Sequence, residues 1–274
     1  MAIPGLLPPT AKVSGSIRLE GQELLSLSPR ALRRLRGSQV SMVFQEPMTS
    51  LNPAYTVGYQ VAEVLREHEG LKGKAGKRRA AELFELVGIP APARRVDEYP
   101  HQLSGGMRQR VMIAMAVACS PKVLVADEPT TALDVTIQAG ILDVMRHLRD
   151  ELGTAIILIT HDLGVIADIA DRVVVMYAGR RVEAAGVDEL FAAPMHPYTI
   201  GLLGAVPRLL GAGDTQRRLA EIPGRVPVLR EDPDACVFAP RCDRATAQCV
   251  ASRPPLAPTR PDHLAACYHP GEQP

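Results

Sequence analysis

Between Ser104 and Met176 the sequence alternates short aliphatic runs with longer helical segments. The runs read KVLVA at 122–126, TAIILIT at 154–160 and RVVVM at 172–176, and each has the length and composition of a buried strand. Continuous apolar strands that are separated by helices are typical of a parallel sheet with helices on its faces. The pattern therefore predicts an α/β domain with a mainly parallel sheet.

Four polar residues follow predicted strands directly: Gln45, Asp127, Glu128 and His161. In open α/β sheets, ligands bind at the carboxyl ends of the strands, so chemistry is expected there. At a phosphate-handling site the first of two adjacent carboxylates holds Mg²⁺, and the second orients or deprotonates the attacking water. From these residues alone, an acidic pair without a ligand and a histidine satisfied in the core stay open as alternatives.

The segment LSGGM at 103–107 predicts a phosphate-binding helix start. Ser104 caps the helix, while Gly105 and Gly106 leave the first backbone N–H groups accessible to an anion. Two glycines in a first turn cost roughly 1 kcal/mol each relative to alanine, which favours a functional reason for them. A plain capped helix is the alternative.

Charge and hydropathy exclude several classes of protein. Lys and Arg total 31 against 30 Asp and Glu, a net charge of +1 that argues against a dedicated nucleic-acid binder. No apolar stretch approaches the ~20 residues that cross a bilayer. The opening MAIPGLLPPT also lacks the features of a secretory signal. These observations predict a soluble cytoplasmic chain without a nucleic-acid partner.

Proline and cysteine concentrate towards the C-terminus. Of the 24 prolines, 13 lie after Gly186, and four of the five cysteines lie after Leu190. This shift predicts a domain boundary that divides the chain into residues 1–190 and a loop-rich extension over 191–274.

The four cysteines of the extension are candidates for a metal site: Cys236, Cys242, Cys249 and Cys267. Their spacings, C-x5-C, C-x6-C and C-x17-C, lack the close pair that zinc ribbons and fingers normally show. Four thiolates suit a [4Fe–4S] cluster, whereas the cytoplasm disfavours disulfides. Zinc and four unrelated buried thiols stay open as alternatives.

Taken together, these motifs resemble those of the ATP-binding subunits of ABC transporters. LSGGM is similar to the family signature, VLVADEP at 123–129 to the strand with the magnesium and catalytic carboxylates, and ALD at 132–134 to the loop that crosses the dimer. QEPMTSLNP at 45–53, HPYT at 196–199 and the cysteine-bearing tail resemble the oligopeptide/dipeptide importer branch. Met107 replaces the glutamine that is more widespread in the signature.

The resemblance implies a P-loop-type ABC cassette with a helical subdomain at about 46–103 and a peptide-importer extension. It implies that Glu128 is the catalytic carboxylate, that His161 contacts the γ-phosphate and that Asp127 binds Mg²⁺. The residues implied to bind ATP are Gln45, Ser104, Gly105, Gly106, Met107, Asp127 and Asp134. It also implies a [4Fe–4S] cluster held by the four cysteines of the extension.

The implied function is ATP-driven import of oligopeptides or dipeptides at the cytoplasmic face of the cell membrane. The implied partners are a second ABC ATPase subunit, identical or different, and two transmembrane permease subunits. An extracytoplasmic peptide-binding protein would act indirectly.

One departure from the family is severe: the sequence has no GxxxxGK[ST] phosphate loop. The chain is expected to begin inside the helix that follows this loop and to lack the loop's lysine and the aromatic residue that stacks on adenine. Its sheet would then expose apolar surface, and the chain alone would not hydrolyse ATP. The alternative is a non-hydrolysing assembly or regulatory cassette that supplies only the signature half-site. An iron–sulfur redox protein, a third reading, leaves the signature unexplained.

Overall fold

The computed structural model describes residues 1–45, 50–130, 135–205, 221–228 and 232–271. Packing divides the chain into two units, Met1–His161 and Asp162–Pro274. The structure does not test the domain boundary that the sequence predicts between residues 190 and 191, and this boundary stays a prediction.

A three-stranded parallel sheet runs through the first unit, in the order β3 (Val40–Val43), β4 (Val123–Asp127) and β5 (Ala155–Ile159). Strand β4 lies in the middle, and its side chains from 124 to 126 are buried. The predicted parallel α/β arrangement is therefore confirmed. Before the first helix, β1 (Arg18–Leu19) pairs with β2 (Gln22–Glu23) in a short antiparallel hairpin.

The described helices of this unit surround the sheet or extend from it: α1 (Pro29–Leu35), α2 (Val57–Glu69), α3 (Gly73–Leu86), α4 (Pro92–Arg95), α5 (Gly105–Val117) and α6 (Val135–Leu152). Ser28 caps α1, because its Oγ accepts a hydrogen bond from the backbone N–H of Ala31. The break between α2 and α3 is short. Gly70 ends α2 with a φ of +72°, and α3 already begins at Gly73, since lysine, arginine and alanine are good helix formers.

Among the residues that the structure describes, strand β5 pairs with β4 alone and forms an edge of this sheet. Ile157 is 41% exposed and Ile159 is 46% exposed. Large β-branched residues at this exposure are unusual in a parallel sheet, whose faces are normally covered. The sheet thus presents apolar surface at this edge, as the sequence predicts.

An antiparallel sheet organises the second unit, in the order β6 (Arg172–Tyr177), β7 (Arg180–Gly186), β9 (His263–Ala265) and β8 (Ala257–Arg260). The prediction that the run at 172–176 extends the parallel sheet is wrong. Only Ala178 and Gly179 connect β6 to β7, and both have positive φ, +47° and +77°. A two-residue turn of this kind reverses the chain and joins antiparallel strands.

The described helices of the second unit are α7 (Leu163–Ile169), α8 (Val187–Ala192), α9 (Pro197–Gly204) and α10 (Ala247–Ala251). Asp162 caps α7, because its Oδ1 accepts hydrogen bonds from the backbone N–H groups of Gly164 and Val165. Within the described residues of both units, no helix is long and apolar enough to cross a membrane.

Candidate functional site

Three of the predicted site residues form one hydrogen-bonded cluster at the carboxyl edge of the parallel sheet. Gln45 donates from Nε2 to Glu128 Oε2 at 2.8 Å, and Nδ1 of His161 lies 3.2 Å from Glu128 Oε1. Each residue follows a different strand, and the parallel register brings the three strand ends together. Both carboxylate oxygens of Glu128 are therefore oriented by neighbouring side chains.

The backbone of Glu128 fixes the position of this carboxylate. Its φ is +46°, in the left-handed region, and its N–H donates to the carbonyl oxygen of Ile159 at 2.9 Å. A non-glycine residue in this region is strained, and such strain is concentrated at functional sites. The Glu128 side chain is 25% exposed and that of His161 is 75% exposed, so the cluster is accessible to a ligand.

Asp127 is the last residue of β4 and precedes the clustered glutamate directly. It lies opposite Ile159 in the sheet, and its side chain is half-buried. Mg²⁺ commonly binds one or two protein carboxylates and completes its shell with water and substrate phosphates, so this edge has the donor type that Mg²⁺ prefers. No group of three or more His, Cys, Asp or Glu side chains in the described ranges is arranged as a metal site.

The signature segment starts α5 as predicted. Ser104 Oγ accepts a hydrogen bond from the backbone N–H of Met107 at 3.3 Å. Ser104 and Gly105 are exposed, which leaves this helix start open to an anion.

Glycine is present at the two signature positions, 105 and 106, for different reasons. A Cβ at Gly105 would meet nothing within 4 Å, so packing does not require glycine there. A Cβ at Gly106 would lie 2.6 Å from Cγ2 of Ile137 on α6, so this glycine permits close helix packing. Only Gly105 retains the functional explanation that the sequence predicts for both.

Arg110 positions the signature helix, a role that the sequence patterns did not indicate. Its Nη1 donates to the carbonyl oxygen of Val87, which follows α3. A Cβ at Gly88 or at Gly140 of α6 would overlap the guanidinium, so two glycines make room for it. The arginine thereby ties α5 to α3 and α6. In the sequence, Gly88 and Gly140 could indicate that another group approaches the backbone closely, but they could not identify Arg110 as that group.

Asp134, predicted to bind ATP and to cap α6, lies outside the described residues, as do residues 131–133. The structure therefore neither supports nor opposes that role.

The four cysteines of the extension line a single small cavity of about 10 Å³. All are free thiols, and Cys249 is buried. The backbone holds two of them together, because the N–H of Cys236 donates to the carbonyl oxygen of Cys249 at 2.9 Å. Although the thiols converge, they do not have the geometry of a metal site, so the iron–sulfur cluster is not supported by the arrangement.

Burial raises the pKa of two of these thiols, Cys242 and Cys267. The pKa of Cys267 rises to about 11, chiefly because the thiol is desolvated and further because the other three cysteines lie nearby. The pKa of Cys242 is also raised by burial. Such thiols are protonated at neutral pH, and a metal would have to displace their protons to bind.

The HPYT motif is held by a buried glutamate that the sequence analysis missed. Glu183 on β7 accepts hydrogen bonds from the backbone N–H groups of Met195 (2.6 Å) and His196 (2.9 Å). His263 Nε2 lies 2.6 Å from the same carboxylate, and both side chains are 0% exposed. His196 in turn caps α9 through Nδ1, which accepts from the N–H of Tyr198. The only sequence signal was an acidic residue between Val182 and Ala184 of β7.

An aromatic cluster joins the extension to β6 and β7. The ring of Phe238 lies 5.1 Å from that of Tyr177 and 5.6 Å from that of Tyr198. Val182 and Val237 are buried in the same cluster. Apolar packing against β6 and β7 therefore helps to hold the extension.

Comparison with known proteins gives matches to two family models. Residues 1–131 match the family model described as ABC transporter, and residues 182–249 match the oligopeptide/dipeptide transporter C-terminal region. A putative peptide import ATP-binding protein of Brucella abortus is 51% identical over 249 residues, covering 91% of this chain and 74% of that protein. The chain belongs to the family of ABC transporter ATP-binding proteins.

Other relatives of this ABC protein extend the comparison. The oligopeptide transport ATP-binding protein OppD of Mycobacterium tuberculosis is 53% identical over 97% of this chain, which spans 44% of OppD. The dimeric ATP-binding cassette MJ0796, in a post-hydrolysis state bound to ADP and Pi, superposes with a TM-score of 0.58 at 28% identity. That superposition covers 64% of this chain and 74% of the cassette. The predicted ABC cassette fold is therefore confirmed.

Proposed function

We propose that this chain is the ATP-binding subunit of an importer for oligopeptides or dipeptides, and that it couples ATP binding and hydrolysis to transport. The observation that carries the proposal is the cluster of Gln45, Glu128 and His161 at the ends of three parallel strands. Membership of the ABC family and the match to the peptide-transporter C-terminal region support it.

In this proposal Glu128 is the general base. Its two carboxylate oxygens are held by Gln45 and His161, so that it can accept a proton from water without reorienting. His161, whose side chain is largely exposed, would contact the γ-phosphate. Asp127 would hold Mg²⁺, which neutralises charge on the phosphates when bound.

The signature segment would bind the phosphates of an ATP held by a second ABC ATPase subunit, through Ser104, Gly105, Gly106 and Met107. The open helix start at Ser104 supports this, because its N–H groups attract anions. Asp134 would contribute to the same dimer interface. Two transmembrane permease subunits would complete the transporter at the cytoplasmic face of the membrane, with a peptide-binding protein acting indirectly.

A non-hydrolysing cassette is the second candidate, since the open helix start at Ser104 is the part of the site that it would use. Such a cassette would supply only the signature half-site to a complete partner. ATPase assays separate the two candidates. The chain is measured alone, with an intact partner cassette, and in a longer version of the protein that contains a phosphate loop.

We expect hydrolysis only in the second and third assays. In the longer version, Glu128→Gln is expected to reduce turnover on the order of 10²-fold or more while ATP binding persists. Near-normal turnover by this variant would remove Glu128 from the catalytic role. Absence of turnover in the longer version before substitution would favour the non-hydrolysing cassette.

The four cysteines of the extension are proposed to bind a metal centre, and convergence of their thiols on one cavity supports this. A [4Fe–4S] cluster is the form that the family resemblance favours, but it requires the thiols to move apart from a cavity of about 10 Å³. Zinc requires less movement. Metal analysis of anaerobically purified protein should give about four irons per chain for the cluster.

Cys242→Ser is expected to remove the metal, whereas Cys119→Ser, outside the extension, should retain it. Stoichiometric zinc without iron would establish the alternative metal. If the anaerobically purified protein contains neither iron nor zinc, the proposal of a metal centre is refuted.

A further inference from the structure

A second cavity in the Asp162–Pro274 unit, of about 350 Å³, shares Cys236 with the cysteine cavity, but most of its lining lies outside the proposed metal centre. Its volume falls within the range of small-molecule sites. Apolar side chains form part of its wall, and three arginines form another part: Met176, Val237, Leu256, Arg180, Arg181 and Arg253. Apolar walls with a few convergent polar groups are typical of sites for small ligands.

Two of these arginines share one carboxylate. Arg180 Nη2 forms an ion pair with Oδ1 of Asp232, and Arg253 Nη2 lies 3.1 Å from Oδ2 of the same side chain. The Arg180 side chain is only 21% exposed, whereas that of Asp232 is 70% exposed. The cations therefore belong to the cavity wall, and the anion reaches them from the solvent side.

Positive charge is in excess around this carboxylate. Burial and the neighbouring charge of Arg253 lower the pKa of Arg180, although Asp234 acts in the opposite direction. The Nε of Arg253 is buried and has no hydrogen-bond partner in the described part of the chain. A buried donor without an acceptor is unfavourable, and a ligand oxygen would satisfy it.

We propose that this cavity binds a small organic phosphate and that Asp232 occupies the phosphate position until the ligand displaces it. A phosphate dianion offers three acceptor oxygens and the double charge that two guanidinium groups match best. The apolar wall would take the organic body of the ligand. Because an ion pair as exposed as that of Asp232 contributes little to stability, displacing it is not costly.

Phenyl phosphate is a suitable probe, titrated calorimetrically into the whole chain. Asp232→Asn removes the competing carboxylate, so we expect about tenfold tighter binding. Arg253→Gln is expected to weaken binding about tenfold or more, since it removes a charge-assisted hydrogen bond. Arg260→Gln is the matched control, because Arg260 is an exposed arginine of the same unit that pairs with Glu189.

Benzoate and inorganic phosphate complete the experiment. Weaker binding of both supports the requirement for a dianion and for an apolar body. Equal binding of benzoate would overturn the assignment to phosphate, and equal binding by the Arg253→Gln and Arg260→Gln variants would overturn the site. Circular dichroism confirms folding of each variant. If Arg253→Gln unfolds, Arg253→Lys replaces it. We expect Arg253→Lys to bind phenyl phosphate more weakly than the wild type does. Unchanged binding by this variant would overturn the proposal.

Discussion

Each unit of the molecule contains a glutamate paired with a histidine, and the two pairs differ in their exposure to solvent. In the first unit, Glu128 and His161 are 3.2 Å apart, and the histidine is 75% exposed. In the second unit, Glu183 and His263 are 2.6 Å apart, and neither side chain is exposed. Gln45 completes the first pair, whereas two backbone N–H groups complete the second.

The difference shows how burial assigns a role to the same two residue types. An exposed pair contributes little to stability, so its members can exchange partners with water or a ligand. A buried pair cannot lose a member without leaving a charge or a donor unsatisfied inside the protein. Glu128 is therefore suited to chemistry, and Glu183 to holding the HPYT motif against β7 and β9.

The largest expected effect is on the buried pair. Glu183→Ala should lower the free energy of unfolding of the second unit by about 3–5 kcal/mol, because it orphans His263 and two backbone donors. Urea denaturation followed by tyrosine fluorescence measures this, since the chain has no tryptophan. Glu221→Ala, at an exposed glutamate of the same unit, is the control. A loss for Glu183→Ala as small as that of the control would contradict a structural role.

Acid should weaken the second unit through His196. Burial lowers the pKa of His196 to about 4, and its Nδ1 accepts a hydrogen bond, so the folded state keeps it neutral. The unfolded state binds a proton near pH 6.5, so stability of roughly 3 kcal/mol is present above pH 6.5 and lost as the pH falls towards 4.

Urea midpoints of the wild-type chain and of His196→Asn at pH 7 and pH 5 isolate this contribution. Asparagine keeps the helix cap but does not titrate. The wild type should lose more stability on acidification than the variant. Equal losses would show that His196 does not contribute.

The signature glycines provide an intermediate effect. Gly106→Ala should destabilise the first unit by about 1–3 kcal/mol, because its Cβ would overlap Ile137. Gly105→Ala, in open space, should change stability by less than about 1 kcal/mol. Thermal unfolding monitored by circular dichroism compares the two. Equal destabilisation would mean that close packing at α6 does not explain Gly106.

The smallest expected effect is on the exposed pair. His161→Ala should change the free energy of unfolding by less than about 1 kcal/mol, the usual contribution of exposed ion pairs. The same urea experiment measures it beside Glu183→Ala. A loss of several kcal/mol in the free energy of unfolding would show that the exposed cluster supports the fold. The two glutamate–histidine pairs would then not differ in their contribution to stability.

The sequence predicted the parallel sheet and the cluster at its edge because both depend on local signals. Aliphatic runs mark the strands, and Gln45, Glu128 and His161 follow them directly. Parallel pairing then brings strand ends together without any information about distant contacts. The orientation of Glu128 by two partners needed the structure, because it depends on the register of three strands.

Features that depend on distant partners were not predictable from the sequence. The antiparallel pairing of β6 follows from a two-residue turn whose significance is clear only once β7 is recognised. Glu183 meets His263 across 80 positions of the chain, and no local pattern connects them. Convergence of the four cysteines likewise depends on how the extension folds, since their spacing has no close pair.

The left-handed backbone at Glu128 sets stability and activity in opposition at one residue. Glycine adopts this conformation without steric penalty, so Glu128→Gly would relieve strain on the order of 1 kcal/mol at the expense of the carboxylate. Laboratory evolution for thermostability alone would therefore tend to discard this glutamate, and only a simultaneous selection for turnover would retain it.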